Sequence, residues 1–324
     1  MKNFLTLLSV LFLLTGCGDG KEDPVVVSNS SGKINNLTVI MDNDMWTGEV
    51  GEAIRSHLAA PVDGLPQEEP LFSLSQMPPE AFAGFARKNR IFLLVQKGEE
   101  PQIKWTENAY ARPQKGVLIQ GENNEQILKL IEENSEEIIS KFKNTELAEQ
   151  QRRIKKSLKD DKALEENLGV SLNFPTAYRY AKESEDFYWI RKDIPTGSME
   201  ILVYEVPRQV IEKDTNIIGN IIAMRDSIGK THIPGRLDGS YMVTEAAYAP
   251  YLFKSQIDKK FAWESKGIWE VKGDFMGGPF INYAVLDEEN DRYVILEGFA
   301  FSPSARKREN MMELEAILKS AKIK

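Results

Sequence analysis

Four carboxylates, Asp42, Asp44, Glu49 and Glu52, fall close together in the stretch "DNDMWTGEVGEAIR". They lie where a β-branched strand hands over to a helix. Carboxylates at the carboxyl end of a strand can hold Ca2+ or Mg2+, or line a ligand cleft beside an aromatic such as Trp46. The spacing is not that of an EF-hand, because Trp46 takes the third ligand position and the glycine is misplaced. The same residues have a structural use: Asp44 or Thr47 can cap the helix, and acids in its first turn favour its dipole. The cap is the reading we favour.

Other candidates thin out quickly. His57 and His232 are the only histidines and have no metal-spaced partner. Each reads as a surface or satisfied side chain. No G-x-S-x-G elbow and no P-loop occurs, so acyl-transfer and nucleotide chemistry lack their turns. The sequence implies no cofactor and no bound metal. In "MGGPF", Gly277 and Gly278 suit a tight turn into a hairpin, or a backbone brought close to a ligand. Trp189, Trp263 and Trp269 fall on predicted strands, where aromatics are usually core; a groove of exposed ones would point to glycan or peptide binding. Arg306, Lys307 and Arg308 put positive charge in a helix's first turn, against the dipole. A solvated face explains them, and so does an anionic partner such as a lipid head group, lipopolysaccharide or an acidic protein.

The single cysteine, Cys17, closes "LLTGC" behind Lys2 and an apolar run from Phe4 to Leu14. That run suits a signal-peptide core and is too short to span a bilayer. Leu14-Thr15-Gly16-Cys17 resembles a bacterial lipobox. The resemblance implies cleavage after Gly16 and a lipid on Cys17, which with two or three chains anchors stably. The expected partner is therefore a membrane, through the lipid on Cys17. Cleavage removes Lys2, leaving 40 basic residues against 49 acidic ones, a poor composition for binding nucleic acid. With its one cysteine acylated, the chain forms no internal disulfide.

Residues 18–33, "GDGKEDPVVVSNSSGK", have linker composition, a coil about 20–25 Å across. Lys21-Glu22-Asp23 resembles the acidic surface-export signal of Bacteroidota lipoproteins. The expected organisation is signal peptide 1–16, tether 17–33, an N-terminal α+β domain over 34–121, a long helix over 122–168 and a C-terminal α+β domain over 169–324. Asn36–Met41 reads as a strand, and Val50, Ile54 and Leu58 as one face of a helix. "EAFAGFARK" reads as a small helix, and Ile91–Val95 as a buried strand. Glu125–Asn167 holds neither glycine nor proline; it reads as a helix buried along one stripe, broken near Asn144-Thr145 and ended by Gly169. "MEILVYEVP" reads as a strand buried on both faces, Asn216–Ile228 as a helix, and "PFINYAVLDEENDRYVILEGFAF" as a hairpin. Ser302-Pro303 is the expected cap of the last helix. Segregated helices and antiparallel hairpins mean α+β, in two domains with mixed or antiparallel sheets joined by a long polar helix.

"DNDMWTGEVGEAIR", "GLPQEEPLFSL", "IPGRLDGSYMVTE", "KGIWEVKGDFMGGPF" and "EGFAFSPSARKRENMMELEAIL" resemble an uncharacterised Bacteroidota lipoprotein family, classed as a domain of unknown function. The element order of the second half is similar to the PsbP/Mog1 topology. The resemblance implies location and no chemistry. The expectation is a lipid-anchored cell-envelope module, in the outer membrane, that binds or assembles an envelope protein or a glycan without catalysis. The alternatives are a carboxylate-centred hydrolase or metal site at Asp42 and Asp44, and a lipid or glycan carrier.

Overall fold

The structure, a computed structural model, describes residues 28–324. The signal peptide, Cys17 and most of the tether lie outside the described residues. From Ser28 on, the chain is already held: Ser30 N–H donates to the Arg112 carbonyl (3.0 Å) and Ser31 N–H to that of Lys88 (2.8 Å). Among the described residues, seven helices and fifteen strands make an α+β protein of two units.

The N-terminal unit runs β1 (Asn36–Ile40), α1 (Asn43–Thr47), α2 (Glu49–Leu58), β2 (Ser73–Met77), β3 (Ile91–Lys97), β4 (Gln102–Glu107), β5 (Lys115–Gly121) and α3 (Asn124–Ile154). Its sheet has the order β2-β1-β3-β5-β4, parallel except for β4. The predicted alternation decides the faces. Leu37, Val39, Leu93 and Val117 meet Ile54 of α2 and Ile127, Ile131, Ile138 and Phe142 of α3 in one core. Ile40, Phe82 and Phe92 form a smaller cluster of their own. The helix expected over "EAFAGFARK" is two short 3-10 turns, Pro79–Ala81 and Ala86–Lys88. Gly84, at φ 51°, takes the left-handed conformation between them and ends any helix.

The long polar segment also differs from expectation. Helix α3 passes Asn144-Thr145 unbroken, with the Thr145 hydroxyl donating to the Lys141 carbonyl (2.9 Å). It ends at Ile154, and a separate helix, α4 (Lys162–Leu168), follows; Gly169 at φ 66° caps that one. The stripe that α3 buries includes Glu146 and Glu149. Arg90 makes this possible: its Nε and Nη2 reach Glu146 at 2.7 and 3.0 Å, and Asn35 N–H donates to the same carboxylate at 2.7 Å. A buried charge survives only when paired and hydrogen-bonded in this way.

The C-terminal unit continues through β6 (Val170–Ser171), β7 (Arg179–Glu183), β8 (Phe187–Ile194), β9 (Gly197–Pro207), α5 (Arg208–Glu212), α6 (Ile217–His232), β10 (Tyr241–Thr244), β11 (Tyr251–Ile257), β12 (Lys260–Lys272), β13 (Gly277–Asp287), β14 (Arg292–Phe301), α7 (Arg308–Leu318) and β15 (Lys322–Ile323). Its antiparallel sheet has the order β10-β12-β13-β14-β9-β8-β7, with β11 also paired to β12. Both faces are covered. Ile281, Tyr283 and Val285 of β13 meet α4 and α7, while Phe280, Ala284 and Leu286 face α6. That two-sided burial is why these strands read as continuous apolar runs. Gly277 and Gly278 lie inside β13 and not in a turn. A Cβ on Gly278 would sit 2.0 Å from the Ala300 carbonyl oxygen, so the close approach is to the neighbouring strand.

The two units meet along α3 and α7. Ile154, at the end of α3, belongs to the C-terminal core, and Gln151 Nε2 donates to the Ala316 carbonyl (3.1 Å). The start of α7 is capped from the other unit. Glu69, buried, accepts Lys307 N–H (2.6 Å) and Arg308 N–H (3.1 Å). Ser302, the expected cap, instead hydrogen-bonds Thr196 through its hydroxyl.

Candidate functional site

A cleft of about 420 Å³ opens between the units, a size within the usual range for small-ligand sites. Three elements build it: the middle of α3, the loop 62–71 and the exposed side of α7, with β12 and β13 as floor. On α3, Ile139, Lys143 and Leu147 are one turn apart each and so share a face. Along α7, Met311, Glu315 and the C-cap residue Lys319 repeat that spacing, with Met312 beside them. Leu65 and Leu71 close the third side.

Two ion pairs sit in the cleft, while Lys143, Asp63 and Glu136 line it without an ion-pair partner among the described residues. Lys266 Nζ is 2.7 Å from Glu264 Oε1, and Lys319 Nζ is 2.8 Å from Glu315 Oε1. Burial raises the Glu315 pKa, but Lys319 and Lys266 outweigh it and bring the carboxyl to about 2. Burial lowers the Lys266 pKa, and Glu315 and Glu264 outweigh that and hold it above the ordinary lysine value. Lys143 has no hydrogen-bond or ion-pair partner among the described residues. The protein crowded around it lowers its pKa, and the charge of Lys266 lowers it further. Its ammonium is nonetheless solvent-accessible, facing the open cleft.

The residues singled out from sequence are placed elsewhere, with one exception. Asp42 and Asp44 are exposed at the start of α1 and converge with no other polar group in the cleft. Neither Asp44 nor Thr47 caps α2: Gly48 holds that position, and the Thr47 hydroxyl donates back to the Asn43 carbonyl. Trp46 lies under the Arg55 guanidinium, 4.7 Å from ring centroid to carbon. No cluster of three or more metal-ligating side chains occurs among the described residues. Arg306 is exposed. Lys307 is buried, with its Nζ donating to the Ala305 carbonyl (2.9 Å). Arg308 lines the cleft, where it donates to the Pro70 carbonyl (2.5 Å) and the Ser73 hydroxyl (3.0 Å). The main-chain amides at the start of this helix meet Glu69 of the same chain, while the Arg308 guanidinium pairs with Glu309 (2.7 Å).

His57 hydrogen-bonds Glu132 (2.8 Å), and His232 stacks on Phe187 with centroids 4.0 Å apart. Of the three tryptophans, Trp269 is buried, and Trp189 Nε1 donates to Glu200 (2.7 Å). Among the exposed aromatics, which include Phe85, Tyr110, Phe261 and Phe275, Tyr251 and Phe253 on edge strand β11 stack on each other, parallel within 4° and 6.1 Å apart. Phe253 is 5.8 Å from Lys266 Nζ. Of the residues singled out from the sequence, Arg308 alone lines the cleft. Lys143, one charge among many on a polar helix, left no trace there.

Two family models match the chain. A domain of unknown function, DUF4837, matches residues 157–320, just over half of the chain, and another, DUF8532, matches residues 30–155. The boundary between them falls just after the end of α3. No curated protein matches the sequence. Among solved structures, LpqN, involved in cell envelope biogenesis of Mycobacterium tuberculosis, is similar at a TM-score of 0.29 and 10% identity, covering 47% of this chain and 81% of that one. Human StAR-related lipid transfer protein 5 is similar at a TM-score of 0.25 and 9% identity, covering 54% of this chain and 95% of that one. Both scores are too low to carry an argument. No helix among the described residues is long and apolar enough to cross a membrane.

Proposed function

We propose, from the premise that the chain belongs to the DUF4837 family, that it is a binding module of the cell envelope. In this reading Cys17 carries the lipid that holds it to the outer membrane, and the cleft between its two units receives a ligand without catalysis. The cleft carries the reading. It combines an apolar wall from two domains with paired charges and one solvent-accessible, unpaired lysine, which is the composition of a recognition site. Asp42 and Asp44 are exposed and do not line this cleft, so the cleft lends the hydrolase alternative no support.

The test crosslinks the chain in intact envelope and compares wild type with Met312→Trp, which fills the cleft. Loss of specific adducts in the variant is the expected result; an unchanged adduct pattern refutes the cleft as the binding site. Anchoring is read separately with Cys17→Ser, which should leave the membrane fraction, and its retention there would remove the lipid anchor from the reading. Tyr251 and Phe253 favour a second reading, stacking of a sugar ring on the exposed pair. Tyr251→Ala should then abolish retention on an envelope-glycan column while Met312→Trp does not.

A further inference from the structure

Lys143 stands in the middle of an apolar stripe, between Ile139 and Leu147 on α3, and faces Met311 and Met312 across the cleft. Lys143 is exposed and takes no carboxylate among the described residues. Here the two nearby glutamates are already engaged, Glu264 with Lys266 and Glu315 with Lys319. Asp63 and Glu136, which also line the cleft, are exposed and make no ion pair with Lys143. Of the lysines that line the cleft, Lys143 is the one with no carboxylate or hydrogen-bond partner among the described residues, and the exposed Asp63 and Glu136 disfavour a ligand with several negative charges. Methionines on the opposite wall adapt to a flexible apolar body.

We propose that the cleft binds a single-headed anionic amphiphile, with its carboxylate or phosphate on Lys143 Nζ and its apolar chain along Ile139, Leu147, Leu71, Met311 and Met312. This rests on the cleft being the binding site. The volume bounds the size: 420 Å³ lies at the small end of ligand clefts and suits a single chain of about ten carbons with its head. An anion on Lys143 forms a charge-assisted hydrogen bond beside apolar side chains, where such bonds are stronger than in open water.

The test is calorimetric titration of the mature chain carrying Cys17→Ser, so that no attached acyl group competes. The probes are decanoate, decyl phosphate, decanol and decyltrimethylammonium, below their micelle thresholds. Decanoate or decyl phosphate should bind one to one. Lys143→Gln should weaken binding by about ten- to a hundred-fold, the range for a lost charge-assisted bond, while Lys143→Arg retains it. Decanol should bind wild type no better than the anions bind Lys143→Gln. Preference for decanoate points to a free fatty acid, and preference for decyl phosphate to a phospholipid-derived anion. Equal binding of decanol or decyltrimethylammonium, or no effect of Lys143→Gln, overturns the proposal. If no probe binds but Met312→Trp still loses its envelope adducts, the amphiphile is wrong and the cleft stands; if neither responds, both fall.

Discussion

Replacing Glu69 by alanine tests how the two units are held together. Glu69 is 4% exposed and its carboxylate accepts the first two amides of α7. Nothing else caps that end: Lys307 at the N-cap position makes no side-chain cap bond. Loss of an N-cap acceptor costs about 0.5–2 kcal/mol, and a hydrogen bond to a charged group contributes about 1.5–3 kcal/mol. The carboxylate also faces the positive end of the helix dipole, worth up to about 2 kcal/mol when partly buried. These effects overlap, so the expected loss is about 3 kcal/mol. It falls on the junction, because the acceptor is in one unit and the helix in the other. Urea unfolding followed by far-ultraviolet circular dichroism should show an earlier transition, separating into two as the units uncouple. Hydrogen exchange should quicken first at the start of α7. Glu69→Gln, which keeps one acceptor oxygen and loses the charge, should fall between wild type and Glu69→Ala. A loss below about 0.5 kcal/mol, the ordinary range for a surface change, with one unshifted transition, would refute the interdomain cap.

Two further perturbations probe the C-terminal unit. Arg225, on the buried face of α6, has Nε and Nη2 both 2.7 Å from the Glu297 carboxylate and its guanidinium carbon 3.5 Å from the Phe280 ring centroid. Arg225→Met should cost about 3–5 kcal/mol by stranding a buried charge, whereas Arg225→Met with Glu297→Leu should recover most of it; a double variant as unstable as the single one sinks this account. Glu200 is buried, and that burial raises its pKa from 4.5 to about 7 against the opposing hydrogen bonds of Ser198 and Trp189 and the charge of Arg191. The folded chain therefore keeps a proton that the unfolded chain releases. Its stabilising effect is complete below about pH 4.5 and is lost as pH rises through about 7, at most about 3 kcal/mol. Melting temperature should fall across that window in wild type and less steeply in Glu200→Gln; identical slopes refute the assignment.

Elements whose periodicity reflects their own burial were legible from the residues. Strands β1, β3 and β9, helix α6 and the β13–β14 hairpin fall where their apolar spacing placed them, because alternation or a 3.6-residue repeat records which faces are covered. Boundaries set by local competition were harder. The chain leaves the helix after Ile154 and not at Asn144-Thr145, and no glycine or proline marks the place. Gly84 breaks a segment whose composition favours a helix.

The candidate site divides in the same way. Asp42, Asp44 and Trp46 stood out because they are neighbours in the chain, and neighbours on one short helix need share no pocket. The residues that line the cleft come from α3, β12 and α7, and only the packing of those elements brings Lys143 near Lys266 and Lys319. The basic run at Arg306, Lys307 and Arg308 marked a conflict with the helix dipole and asked for an acid. Its answer, Glu69, is 238 residues away from Lys307 in the chain. Local sequence decides how an element folds, because propensity and periodicity act over a few turns. Which charge finds which partner is decided across the interface of two domains, where a buried carboxylate is stable only if the fold has already brought its donors to it.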